Sequence, residues 1–201
     1  MTIPIRRALI SVSNKTGLEQ LVPWIQQSGI EVISSGGTAR ALTELGVTVT
    51  PIQEVTGNPE AFGGRMKTLS FQVSSALLYR RGHQGDEDQA QELGIQSIDL
   101  VICNLYPFAE VVARGGEWSE LIENIDIGGP TMIRAAAKNN DAVCCIVNPS
   151  DYGELIEEVS TNSGTSLEFR QKMALRAFEH TAEYDSLISE ITRRYIENRF
   201  N

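Results

Sequence analysis

Two glycine-rich stretches and a pair of cations carry the chemistry that this chain could perform. In the first stretch, residues 124–139, Asp126 precedes Gly128 and Gly129, Pro130 follows, and Lys138 stands eight residues further on. Two adjacent glycines at a helix start expose free N–H groups and the positive end of the helix dipole, which seats an anion. The same residues read equally well as a Gly-rich loop before an ordinary helix, with Pro130 as its first residue. The second set is Arg65-Met66-Lys67-Thr68. In a strand, residues two apart share a face, so Arg65 and Lys67 would converge as an anion clamp. A solvated edge strand guarded by charge is the competing reading. A third set comprises two hydroxyl-rich segments, Ser11 to Thr16 and Ser35 to Thr38. Neither is a Rossmann or a Walker A sequence, which argues against a dinucleotide or a P-loop. Hydroxyls, backbone N–H groups and the point charge of Lys15 suit a single phosphate, although Ser and Thr also cap helices.

The elements that must position these groups alternate. Residues 8–13 read as a strand, 17–27 as a helix closed by Gly29, 30–34 as a strand, 39–45 as a helix closed by Gly46, and 47–51 as a strand. Such alternation implies a parallel sheet with right-handed crossovers and helices on its faces. Ligands then sit outside the carboxyl ends of the strands, where both hydroxyl-rich segments fall. Residues 54–64 read as a loop and 64–69 as extended. The apolar run 99–104 reads as a buried parallel strand. It delivers Asn104 and, held extended by Pro107, Tyr106 to the same edge. Short helices are expected at 108–113 and 117–123, a strand at 141–147, a helix at 150–159, a polar linker at 161–166, and helix from 167. Leu187, Ile188, Ile191 and Tyr195 form a stripe there that suits core or interface packing.

Bulk properties narrow the function. The chain has 201 residues and a formal charge of −9, which argues against non-specific nucleic-acid binding. No signal peptide or membrane-length apolar run is present. Cys103, Cys144 and Cys145 lie in apolar runs and are odd in number, so buried, reduced thiols and a cytoplasmic location are expected. His83 and His180 are the only histidines, which makes a His-rich metal site a poor reading. Acid–base work must rest on Lys, Tyr, Asp, Glu or Arg.

Seven motifs, in order, resemble one family: SVSNKTG (11–17), SSGGTA (34–39), EVTGNPE (54–60), GGRMKTL (63–69), NLYPF (104–108), IDIGGPTMIRAAAKN (125–139) and FEHTAEYD (178–185). Together they resemble IMP cyclohydrolase, the N-terminal domain family of the bifunctional purine-synthesis enzyme whose other half is a formyltransferase. The resemblance implies an α/β fold, a methylglyoxal-synthase-like three-layer sandwich with a mostly parallel sheet and helices on both faces. It implies one domain over 1–201, with a C-terminal helical segment at about 166–198 and no formyltransferase half. The chain would be either a free-standing cyclohydrolase, working beside a separate formyltransferase, or part of a longer protein. It implies a homodimer, no cofactor, no metal, and no nucleic-acid or membrane partner.

The implied reaction closes 5-formamidoimidazole-4-carboxamide ribonucleotide to IMP, a purine ribonucleotide, with loss of water. The resemblance carries Lys67, Tyr106, Asp126 and Lys138 over as catalytic. Lys67 would stabilise the developing oxyanion or shuttle a proton, Tyr106 and Asp126 would orient the formyl and carboxamide groups, and Lys138 would act as acid–base residue or supply charge. Ser11, Ser13, Lys15, Thr16, Ser35, Gly36, Gly37, Thr38, Arg65 and Thr68 would hold phosphate and ribose. Asn104, Ile127 and Gly128 would line the base site. Two readings compete with this one, a non-catalytic purine-nucleotide-binding module of the same fold and methylglyoxal synthase, the latter disfavoured by the scarcity of histidine. The sequence departs from the family pattern at Ser70, Phe71 and Ser74, where the family has His-Pro-x-x-His, and at Asn14, where it often has Asp.

Overall fold

Five short apolar runs build one sheet in the computed structural model, which describes residues 2–200. They are β1 (Arg7–Val12), β2 (Glu31–Ser34), β3 (Val49–Pro51), β4 (Leu100–Asn104) and β5 (Cys144–Ile146). The order is β3-β2-β1-β4-β5 and every pair is parallel. All of β4 is buried, as a central parallel strand covered on both faces requires. The chain builds outward from β1 to β3, then returns to place β4 on β1's other side. The order therefore reverses between β1 and β4, and a crevice opens at their carboxyl ends.

The helices are α1 (Leu18–Ser28), α2 (Gly36–Glu44), α3 (Ile52–Thr56), α4 (Phe71–Leu78), α5 (Gln84–Glu92), α6 (Phe108–Ala113), α7 (Trp118–Glu123), α8 (Gly128–Lys138), α9 (Tyr152–Asn162) and α10 (Leu167–Phe200), with 3-10 turns at Phe62–Gly64 and Pro149–Asp151. Alternate strand residues face opposite layers. Ala8, Ile10 and Val12 pack with Leu21 of α1, Leu42 of α2 and Leu155 of α9. Leu9, Val101 and Cys103 pack with Ile52 of α3, Leu77 of α4 and Ile133 of α8. This is the three-layer α/β sandwich, with the sheet parallel throughout.

Helix α10 closes the β5 edge. Phe169 and Met173 enter one core, and Ala174 and Ala177 the other. Buried Arg170 ties its first turns to the carbonyls of Asn140, Asp141 and Thr165. Further along, Leu187, Ile188 and Ile191 pack on Phe108, Val111 and Leu121, while Tyr195 stacks on Trp118 at 3.9 Å. The C-terminal stripe is thus spent within the chain on α6 and α7. The three cysteines are buried and free, and burial pushes each thiol up. No helix among the described residues is long and apolar enough to cross a membrane.

Three local expectations are corrected. Residues 52–56 form α3 where a loop is expected. Segment 64–69 is not a strand: Gly63 and Gly64 adopt φ of 65° and 94°, reversing the chain so that Ala61 and Met66 meet in an isolated antiparallel bridge. Two left-handed glycines outweigh an alternation only four residues long. Helices α2 and α8 begin at Gly36 and Gly128, earlier than the Ala39 and Pro130 starts expected, so their glycines belong to the first helical turns.

Candidate active site

Each functional segment sits at a helix start or a strand end, and the reversal between β1 and β4 gathers them. A cleft of about 600 Å³ lies at these carboxyl ends. Ser11, Ser13, Lys15, Ser35, Gly37, Thr38, Arg65, Lys67, Thr68, Asn104, Tyr106, Asp126, Ile127 and Gly128 line it. Thr16, Gly36 and Lys138 do not.

At one end of the cleft, Asn104 holds the β1–α1 loop. Its side-chain oxygen accepts the N–H groups of Ser13 and Asn14 at 2.7 and 2.9 Å, and its amide donates to the Asn14 carbonyl at 2.9 Å. The Thr16 N–H turns back onto Asn14 Oδ1, leaving Thr16 exposed outside the cleft. Thr38 ties α2 to β1: its hydroxyl accepts the Val12 N–H at 3.0 Å and donates to the Val12 carbonyl at 2.9 Å. A hydroxyl has one proton to give, so in this geometry Thr38 brings its backbone N–H, not its side chain, to an anion. Ser35, in extended conformation before α2, caps no backbone group with its side chain.

The other end carries the titratable groups. Lys67 Nζ lies 3.6 Å from Glu60 Oε2. It also lies over Gly36, where an added Cβ would stand 2.5 Å from Nζ. Gly36 has φ of 52°, so the backbone favours glycine there, while an added methyl would displace the flexible end of Lys67. Asp126 Oδ1 accepts the Gly129 N–H at 2.7 Å, capping α8 from just before its start. Burial holds the Asp126 carboxyl above the ordinary carboxylate range, against the opposing pull of the Gly129, Tyr106 and Gly128 amides. Burial, and then the charges of Asp126 and Glu60, push the half-exposed Tyr106 phenol up. Thr68 Oγ1 stands where a Cβ on Gly128 would be, so Gly128 allows this contact.

Two cations have other neighbours than a bare clamp or an Asp126 partner. Arg65 and Lys67 both line the cleft, but from a reversed turn and not a strand, and each faces a carboxylate, Arg65 that of Glu123 in α7 and Lys67 that of Glu60. Lys138 does not line the cleft with Asp126. It lies at the far end of the 11-residue α8 and lines a second cleft of about 690 Å³ with Ser74, Arg134 and Phe178. Eleven helical residues separate the two ends by about 15 Å. Ser70, one departure from the family pattern, caps α4 by accepting the Val73 N–H at 3.0 Å, and Ser74 faces the second cleft; neither lines the first. His83 and His180 line neither cleft.

Glu60 and Glu123 line the first cleft without having been singled out from sequence. Glu60 stands in the EVTGNPE motif, which was the available signal; Glu123 carried none. Among the described residues no group of three or more His, Cys, Asp or Glu is placed to hold a metal ion.

Known proteins resemble the chain along nearly its whole length. Residues 17–131 match the model of the MGS-like domain, and residues 136–201 that of the AICARFT/IMPCHase bienzyme. The chain is 50% identical over 186 residues to the bifunctional purine biosynthesis protein PurH of Persephonella marina, covering 92% of this chain and 36% of that protein. It is 48% identical over 193 residues to PurH of Acetivibrio thermocellus, covering 96% and 38%. It therefore spans little more than a third of the length of these curated relatives. The crystal structure of ForH superposes with a TM-score of 0.80 at 32% identity, over 92% of this chain and 96% of that one.

Proposed function

The chain belongs to the MGS-like family, in the branch of the AICARFT/IMPCHase bienzyme, and from that premise we propose that it closes 5-formamidoimidazole-4-carboxamide ribonucleotide to IMP. The observation that carries the reading is the meeting of Lys67, Tyr106 and Asp126 in one cleft that Ser11, Ser13, Lys15, Ser35, Gly37 and Thr38 also line. The carboxamide nitrogen attacks the formyl carbon of the same molecule and gives up one proton as the C–N bond forms; the formamido nitrogen gives up a second as it forms a C=N bond, the C–O bond breaks, and the former formyl oxygen leaves as water. The work left to the protein is to hold two groups of one substrate in contact and to stabilise charge.

In this reading the phosphate sits on the N–H groups of Gly37 and Thr38, in the turn that Gly36 opens, beside Ser11, Ser13, Ser35 and Lys15, where the α2 dipole favours it. Lys67 exchanges its Glu60 partner for the developing oxyanion. Asp126, ionised and fixed by the Gly129 N–H, accepts the carboxamide proton, and Tyr106 orients the formyl group. Arg65 and Thr68 hold ribose, and Asn104, Ile127 and Gly128 border the base. Lys138 enters from a second copy of the chain, because its own α8 carries it away from the cleft. The site is thereby shared within a homodimer, and the whole chain acts as one catalytic domain.

The test is to incubate the purified chain with the formylated ribonucleotide and to follow IMP absorbance. Formation of IMP supports the enzyme. IMP binding without turnover would replace it with the non-catalytic nucleotide-binding module.

A further inference from the structure

Helix α10 reaches the active-site loops through Tyr184. The Tyr184 hydroxyl accepts the Asp126 backbone N–H at 2.8 Å and donates to the Asn124 carbonyl at 3.2 Å. Its ring meets Phe108 edge-on, with centroids 6.3 Å apart. Phe108 follows Tyr106-Pro107 directly and donates its N–H to the Tyr106 carbonyl at 2.8 Å. One side chain thus touches both the segment that carries Asp126 and the segment that carries Tyr106. The Asn124 side of the turn is tied back to α7, where the Asn124 amide donates to the Glu120 carbonyl at 2.9 Å. The Asp126 side is held differently. Ile127 occupies the N-cap position of α8 and offers no side-chain cap. The Asp126 carboxylate accepts the Gly129 N–H, and that carboxylate is itself the functional group.

We propose that Tyr184 is a positioning residue for Asp126: its hydroxyl clamps the backbone of the Asn124–Asp126 turn from outside, so that the carboxylate is held against the cleft. The inference rests on the cyclohydrolase reading for its catalytic consequence, but the clamp is a structural statement of its own. Without the hydroxyl, the Asp126 N–H and the Asn124 carbonyl lose their partner and the turn gains freedom to rotate. Displacing a reacting group by about 1 Å is enough to cost about a hundredfold in rate.

The experiment compares Tyr184→Phe, which keeps the ring on Phe108, with the wild-type chain in two measurements. In turnover of the formylated ribonucleotide, kcat is expected to fall about tenfold or more while KM stays within about twofold, since the nucleotide is held elsewhere in the cleft. In amide hydrogen exchange, the Asp126 amide is expected to exchange faster, with the later turns of α8 unchanged. A merely structural tyrosine would lower the melting temperature and leave kcat intact. An active wild type with kcat of Tyr184→Phe within about twofold overturns the positioning role. Unaltered exchange at Asp126 overturns the clamp. A wild-type chain that produces no IMP overturns the cyclohydrolase reading, and the exchange result then decides the clamp alone.

Discussion

The Lys67 ammonium lies 3.6 Å from the Glu60 carboxylate, so the cation at the heart of the cleft is already matched by a carboxylate on a neighbouring loop. An ammonium held by one partially exposed carboxylate is free to exchange it for a stronger developing anion. Lys67→Ala is therefore expected to lower kcat at least about a hundredfold, the scale of losing an oxyanion partner. Following IMP absorbance checks this, and a variant within about threefold of wild type would remove Lys67 from the reacting set.

Gly36→Ala tests whether the resting place of Lys67 matters. The new methyl group would stand 2.5 Å from Nζ, and the backbone φ of 52° disfavours any residue but glycine. The ammonium can swing aside, so the collision is expected to appear as displacement: kcat falls about tenfold, and stability falls by about 1 kcal/mol from the strained backbone. Turnover and denaturant unfolding separate the two effects. Lost stability with unchanged kcat would show that the lysine reaches its working position from elsewhere.

Lys138 stands at the end of α8 remote from Asp126. If a second copy supplies it, Lys67→Ala and Lys138→Ala chains are each nearly inactive, yet a mixed dimer contains one intact site. Refolding the two together is expected to restore about a quarter of wild-type activity, from statistical pairing in a two-fold dimer. Activity no higher than that of either variant alone would exclude Lys138 acting across subunits.

Burial raises the Asp126 carboxyl above its ordinary range. The native chain thus binds that proton more readily than the unfolded chain does. The stabilisation this gives is complete below the ordinary carboxylate value and is lost as pH rises through the native one, so the ionised group costs stability near neutrality. Asp126→Asn keeps an oxygen for the Gly129 N–H and removes the charge. Its melting temperature is expected to exceed that of wild type by about 2 °C near pH 7, a shift typical of a small stability gain in a chain this size, and the excess to shrink toward pH 4. A gain that does not depend on pH would assign it to packing instead. The same variant is expected to be inactive, since Asn cannot take the carboxamide proton.

Residue order alone determined the alternation that makes a parallel sheet, the two hydroxyl-rich loops at its carboxyl edge, and the block around Asp126. These are readable because strand and helix periods, glycine punctuation and motif spacing are local properties of the chain. Tertiary structure decided the rest. Thr38 offers its hydroxyl to Val12, 26 residues away, and Asn104 braces a loop 91 residues away, so neither side chain's partners could be known before the sheet was closed. Arg65 met Glu123, 58 residues away, after Gly63 and Gly64 reverse the backbone just before it. Tyr184 reached Asp126 from 58 residues further along because α10 folds back across the β5 edge. Lys138 was separated from Asp126 for an equally plain reason: the two flank an 11-residue helix, whose ends stand about 15 Å apart. Local pattern states which groups are present, and only the closed fold states which of them face one another.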